Sequence, residues 1–274
     1  MALDIEWGLD IERVTLFPLF TSGVNKGGIA AVNGTAYEGI DVTGPVSLEF
    51  SFGNPRTIAN VSQGRVNDTI ILPSTDPKSA VLKCSYDSQT LNALLSDVNI
   101  TTMGASKVLP EGTDKQGQEI QCAMLISQLV SHNESGDVVY GTEIFAKATL
   151  VPSKVNYNEN ALVKEYNIAF AQPSKYPWGE ALTLATHKCT KATNARIMSD
   201  NKFNMIGWLG DCIDTTFVLP TDKKALTSAS AKVWNFATGA AVAGTWDLTA
   251  LATTFTPTVT PDALDLLICT YEYA

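Results

Sequence analysis

Between positions 118 and 173 the chain carries three long apolar-rich runs separated by short polar breaks. The first covers 118–130 and ends in the polar turn Ser131-His132-Asn133-Glu134-Ser135-Gly136-Asp137. The second covers 138–151, with Pro152 expected to stop it, and the third covers 162–170, after a polar loop. Each reads as a β-strand. Strands of about twelve residues would span roughly 40 Å at about 3.3 Å per residue, well beyond the usual length of about five or six residues. A meander of such strands suits a wall or a barrel better than a catalytic pocket.

The flanking sequence adds shorter strands. Val46, Leu48, Phe50 and Phe52 alternate with polar residues, the mark of a half-buried strand. Residues 54–68 read as a polar loop holding Arg56 and Arg65, two of only four arginines in the chain. Thr69-Ile70-Ile71-Leu72 and residues 80–86 follow as strands. Asp87-Ser88 reads as a helix N-cap, and Leu91, Leu94, Leu95 and Val98 then recur on one helical face. That predicts one short helix over 88–98, sealing the open side of a sheet. The dense cluster Leu16-Phe17-Pro18-Leu19-Phe20 has no helical period, and two readings stand: a core strand, or an arm that packs on a neighbour. Residues 181–186 and 195–198 read as short strands, and the polar break at 199–202 sets a domain boundary, giving units of 1–205 and 206–274. In the second unit, short strands at roughly ten-residue spacing predict a small β-sandwich.

Chemistry is sparse. The 274 residues carry a net charge of −9, and both units are acidic, which argues against nucleic-acid binding through phosphate neutralisation. Five scattered cysteines without a CxxC pair argue against a disulfide framework and a zinc site; Cys122 and Cys269 read as small core residues. No apolar run is long enough to span a membrane, and the acidic N-terminus lacks signal-peptide character, so the sequons at Asn33, Asn60, Asn67, Asn99 and Asn133 read as unused. The expectation is a protein made in a reducing cytoplasm. The two histidines, His132 and His187, suggest no catalytic set; a pair of His187 with Cys189 lacks an orienting third group. No nucleotide, hydrolase or metalloprotease motif occurs. The expectation is a non-enzyme without cofactor or metal. Trp178, Trp208, Trp234 and Trp246 leave a second reading, a carbohydrate-binding or carbohydrate-cleaving β-protein of a virion or cell surface. A third reading is a capsid or neck component.

Gly210-Asp211, Thr215-Thr216-Phe217-Val218-Leu219-Pro220, Val233-Trp234, Thr253-Thr254-Phe255-Thr256-Pro257 and Thr270-Tyr271-Glu272-Tyr273 together resemble a small immunoglobulin-like β-sandwich module found on tailed-phage structural proteins. One departure is Asp262-Ala263-Leu264-Asp265, where that module often has an alanine, proline and glycine turn. The first two-thirds resembles a major tail tube protein of a long-tailed, non-contractile phage. The order of elements carries this likeness: strand 46–52, a polar loop, Arg65-Val66-Asn67-Asp68-Thr69-Ile70-Ile71-Leu72-Pro73, the helix, then the meander.

The resemblance implies an all-β fold, a tail-tube β-sandwich or barrel with one flanking helix, and a C-terminal sandwich decorating its outside. It implies self-assembly into stacked hexameric rings in the virion. The implied partners are terminator, tape measure and distal tail proteins, with phage DNA passing through the lumen without sequence-specific binding. Inter-subunit contacts are expected at Arg56 and Arg65, and at Phe17 and Phe20 in the arm reading, with the loop 152–160 a further candidate. Glu119, Gln121, Glu143, Lys147, Lys164 and Glu165 are candidates for the lumen or the outer surface.

Overall fold

A computed structural model describes residues 10–31, 37–42, 45–51, 56–62, 65–72, 79–84, 101–103, 106–108, 120–132, 138–158, 161–171, 173, 175–176, 183–184, 187–188, 194–247 and 253–274. In chain order the strands are β1 (Asp10–Pro18), β2 (Tyr37–Glu38), β3 (Ile40–Val42), β4 (Pro45–Ser51), β5 (Arg56–Ser62), β6 (Arg65–Leu72) and β7 (Ser79–Cys84). Then come β8 (Thr101–Met103), β9 (Ser106–Val108), β10 (Ile120–His132), β11 (Val138–Asn158), β12 (Ala161–Phe170), β13 (Thr183–Leu184) and β14 (His187–Lys188). The last are β15 (Asn194–Ser199), β16 (Lys202–Leu209), β17 (Phe217–Val218), β18 (Lys232–Asn235), β19 (Gly244–Asp247), β20 (Thr254–Pro257) and β21 (Leu266–Tyr273). The fold is all-β and every pairing is antiparallel. The helix expected over 88–98 lies outside the described residues.

Three sheets carry the structure. The largest runs β3-β1-β10-β11-β12-β7-β4, with β15 also on β11; the second runs β18-β21-β16-β2, and the third β17-β20-β19. Strands β3 and β4 stand at opposite ends of the first sheet, yet only two residues separate Val42 from Pro45 in the chain. Three residue steps reach about 11 Å at most, so the sheet must curl until its edges approach. No ladder joins those edges among the described residues, and the sheet is not closed into a barrel. Its concave side is a packed core rather than a lumen. Val14 and Leu16 of β1, Cys122, Met124 and Ile126 of β10, Phe145 and Leu150 of β11, and Ile168 of β12 fill it.

Strand β10 explains the layering. Its run Cys122-Ala123-Met124-Leu125-Ile126 does not alternate because both faces are covered. The even-numbered residues point into the curled core, while Ala123 and Leu125 meet Phe203 and Met205 of β16 and Ile268 of β21. The far side of that second sheet packs Ile206, Val233, Leu267, Cys269 and Tyr271 against Phe217 and Phe255 of the third. The boundary between 205 and 206 therefore falls inside β16, whose residues 206 and 207 pair with β2 near the N-terminus. The apolar cluster 16–20 is no arm: through Pro18 it belongs to β1, hydrogen-bonded between β3 and β10.

Two further expectations are corrected. Within the expected loop 54–68, residues 56–62 and 65–68 are strand, since β5 and β6 pair antiparallel from Arg56 opposite Leu72 to Ser62 opposite Arg65. Pro152 does not end the second long strand, which continues to Asn158, so 152–158 is strand rather than loop. Proline lacks a donor, and it is accommodated at a bulge between Pro152 and Lys154, beyond the end of the β10 ladder.

Because the N- and C-terminal parts share one apolar layer, a 206–274 fragment is expected to show no cooperative unfolding by circular dichroism, while the full chain unfolds in one transition. In the full chain, Phe17→Ala, at a side chain with 0% exposure, should cost about 3–5 kcal/mol in urea titrations.

Candidate assembly surface

Among the described residues, no apolar cluster packs on the outer face of strands β12, β7 and β4. Tyr166 and Ile168 point inward, as do Ala80 and Leu82, with Leu48 packed beside them. Strict alternation then sends the intervening residues outward. They form three cross-strand rows: Glu165, Lys83 and Ser47; Asn167, Val81 and Glu49; Ala169, Ser79 and Ser51. Lys83, the one cation of this grid, is ion-paired to Glu49 at 3.3 Å. The result is a patch of hydroxyl, amide and methyl groups around three charged residues, Glu165, Lys83 and Glu49. Of the polar residues singled out in the meander, Glu165 belongs to this patch, and Glu119 lies outside the described residues. Gln121 shares the face of Ala123, on the opposite side of the sheet from Cys122.

The same strands run on as a ribbon. Strand β11 has 21 residues, about 70 Å of chain. The β10 ladder ends at Leu150, and among the described residues no strand pairs with that edge from Val151 to Asn158. Strand β12 accompanies it throughout, from Ala148 opposite Phe170 to Asn158 opposite Ala161. A backbone edge of eight residues therefore lies open.

The predicted contact residues are not brought together. Arg56 opens β5 and Arg65 opens β6, at opposite ends of the hairpin. Six residues of strand, about 20 Å, separate their levels. Phe17 is enclosed in this chain's own core and is unavailable to a neighbour, which corrects its expected role. Phe20 is half-buried against the same layer, 6.2 Å between ring centroids from Tyr37.

A polar cluster that sequence reasoning missed ties the first sheet to the second. Asp41 of β3 accepts a hydrogen bond from Thr15 Oγ1 at 2.6 Å and pairs with Lys223 at 2.6 Å and Arg13 at 3.9 Å. Arg13 Nη2 donates to the Phe203 carbonyl at 2.9 Å, and Lys202 pairs with Glu12 at 2.6 Å. Burial pushes the Asp41 carboxyl up, but the Lys223 and Thr15 hydrogen bonds and the Arg13 charge outweigh it and leave the group below its ordinary value of 3.8. Neighbouring Glu38 goes the other way: burial raises it, Lys223 opposes, and Asp222 and Asp41 add to the rise. These residues are scattered in sequence from 12 to 223, so no local motif announces them.

Among the described residues no three His, Cys, Asp or Glu side chains gather as a metal site. Burial pushes the Cys84 thiol up to about 12 and raises Cys122 and Cys269 well above the ordinary thiol range, which leaves all three unreactive. Cys189 lies outside the described residues. Trp208 and Trp246 are spent on packing, with ring centroids 5.5 Å from Phe217 and 4.9 Å from Phe255. Compared with known proteins, the chain matches no family model, and no curated protein matches it in sequence.

The Asp41 cluster generates a pH prediction. A depressed carboxylate stabilises the fold fully above its ordinary value and loses that contribution as pH falls through the depressed one, here below 3.8. Asp41→Asn should cost about 1 kcal/mol at pH 7, a modest figure because the carboxylate is partly exposed. Urea titrations repeated at strongly acid pH should show the variant and the parent converging.

Proposed function

We propose that the chain is a structural subunit of a phage tail tube, assembling with copies of itself into stacked rings around a channel for DNA. The observation that carries this reading is the polar face of β4, β7 and β12, continued by a β11–β12 ribbon whose backbone edge has no partner strand among the described residues. An open edge of that length is a template for another strand, and in a soluble protein it is either blocked or used. A closed ring of identical subunits uses it without leaving a free end. The polar grid suits a channel wall. Its lysine is neutralised by Glu49 and its remaining groups are small and uncharged apart from Glu165, so it holds no loose cation for a phosphate. The second and third sheets would then be the outward, immunoglobulin-like decoration. Stacked rings would meet terminator, tape measure and distal tail proteins at their ends. The hexameric symmetry rests on the resemblance alone.

Negative-stain microscopy of the purified full-length chain tests the reading: rings or hollow tubes are expected, and a monodisperse monomer at all concentrations would sink it. Adding charge to the wall separates the channel from mere self-association. Asn167→Lys combined with Ser51→Lys should leave tubes intact but make them retain DNA at low salt, releasing it as salt rises. Tubes that ignore DNA in both forms would place that face elsewhere. Arg65→Glu and Arg56→Glu should affect assembly independently, their combined effect on tube yield being the product of the two.

A further inference from the structure

Three connections at one end of the second sheet are hydrogen-bonded to one another, and each carries an exposed apolar side chain. Asn25 Nδ2 donates to the Leu264 carbonyl at 2.9 Å, the Leu264 amide donates to the Gly210 carbonyl at 2.9 Å, and the Gly210 amide donates to the Asp265 carbonyl at 2.8 Å. These bonds bring together the connections that carry Val24, Ile213 and Leu264, which are 73%, 77% and 60% exposed. Single exposed aliphatics are ordinary, but a gathered set marks a contact surface. The backbone there is also strained. Cys212 at φ 65° and Leu264 at φ 69° occupy the left-handed region, which glycine adopts freely and bulky residues avoid. Leu264 stands in the turn where the resembling module often has glycine close by. Such strain persists where the surroundings hold it, and it clusters at sites of function. The hold is visible: Asp211 Oδ1 accepts the amides of Ile213 at 2.8 Å and Asp214 at 2.7 Å.

The charge on these connections has one dominant sign. They carry Asp211, Asp214, Asp262 and Asp265 against Lys26, with Lys175 beside Gly27. Lys175 is already committed, donating to the Ala237 carbonyl at 2.9 Å and lying over the Phe236 ring.

We propose that this pole is a docking surface for a cationic, apolar protein segment, whose aliphatic side chains cover Val24, Ile213 and Leu264 while its Lys or Arg groups meet the carboxylates. Charge complementarity selects this occupant, since a second copy or an anionic lipid surface would set like charges against each other. The surface is independent of ring formation and stands whether or not tubes form.

The test uses the full-length chain and a labelled amphipathic leucine-lysine helix peptide, with its leucine-glutamate counterpart as control, read by fluorescence anisotropy. The lysine peptide should bind and the glutamate peptide should not. Leu264→Gly should weaken binding at least tenfold while the thermal midpoint holds or rises, because glycine adopts that φ without strain. Ile213→Ser should weaken binding similarly. Asp214→Asn with Asp262→Asn should reduce affinity, whereas Asp222→Asn with Asp200→Asn, an equal charge change elsewhere, should not. Undiminished binding by Leu264→Gly, equal binding of both peptides, or equal effects of the two charge pairs would overturn the proposal. So would attachment to phosphatidylglycerol vesicles, or dimerisation in sedimentation velocity that Ile213→Ser abolishes.

Discussion

The structure depends on strands that are buried on both faces. Strand β10 supplies side chains to the curled core and to the layer between sheets, and β1 does the same with Val14 and Leu16 on one side and Phe17 on the other. Strand β21 repeats the pattern one layer out, with Ile268 facing inward and Cys269 and Tyr271 facing the third sheet. A strand in that position cannot be removed without opening two cores at once. This is why the C-terminal sheets are integral to the chain rather than hung from it, and why the ionic cluster around Asp41 sits across the same junction.

What was legible follows from this. The meander appeared in the sequence because its strands are long and bounded by polar turns, and β21 because its apolar run is continuous. The strict alternation around Leu48 gave β4 because one face of that strand meets solvent. Strand β1 escaped a firm reading because double burial removes the alternation that distinguishes a strand from an apolar cluster, and Pro18 and Pro152 look like terminators when only local propensity is weighed. Strand β16 was missed for the same reason, its polar start at Lys202 being read as a break. Hairpin β5–β6 was hidden by polar residues that pair through backbone rather than through side-chain pattern.

The candidate surface was less legible than the fold. The polar grid takes residues from three segments near 47–51, 79–83 and 165–169, and only the register of β4 on β7 and β7 on β12 sets them in rows. The pole around Leu264 depends in part on a hydrogen bond between residues 239 positions apart. In that turn the sequence showed only a departure from a familiar pattern; backbone geometry shows that the turn is made regardless, with leucine in the left-handed conformation.

The irregularity in β11 has a reach beyond its size. Between the pairs Cys122–Ala148 and Met124–Phe145, β11 spends one residue more than β10. That extra residue lets Phe145 and Ala148 face the same core although an odd number of positions separates them. The strand downstream, as far as the second irregularity at Pro152 and Lys154, inherits its orientation from this single count. Loss of one residue there would turn that stretch's two faces over while leaving its composition untouched. The length of this segment is thus a parameter of the fold in its own right, constrained more tightly than the identity of the side chains it carries.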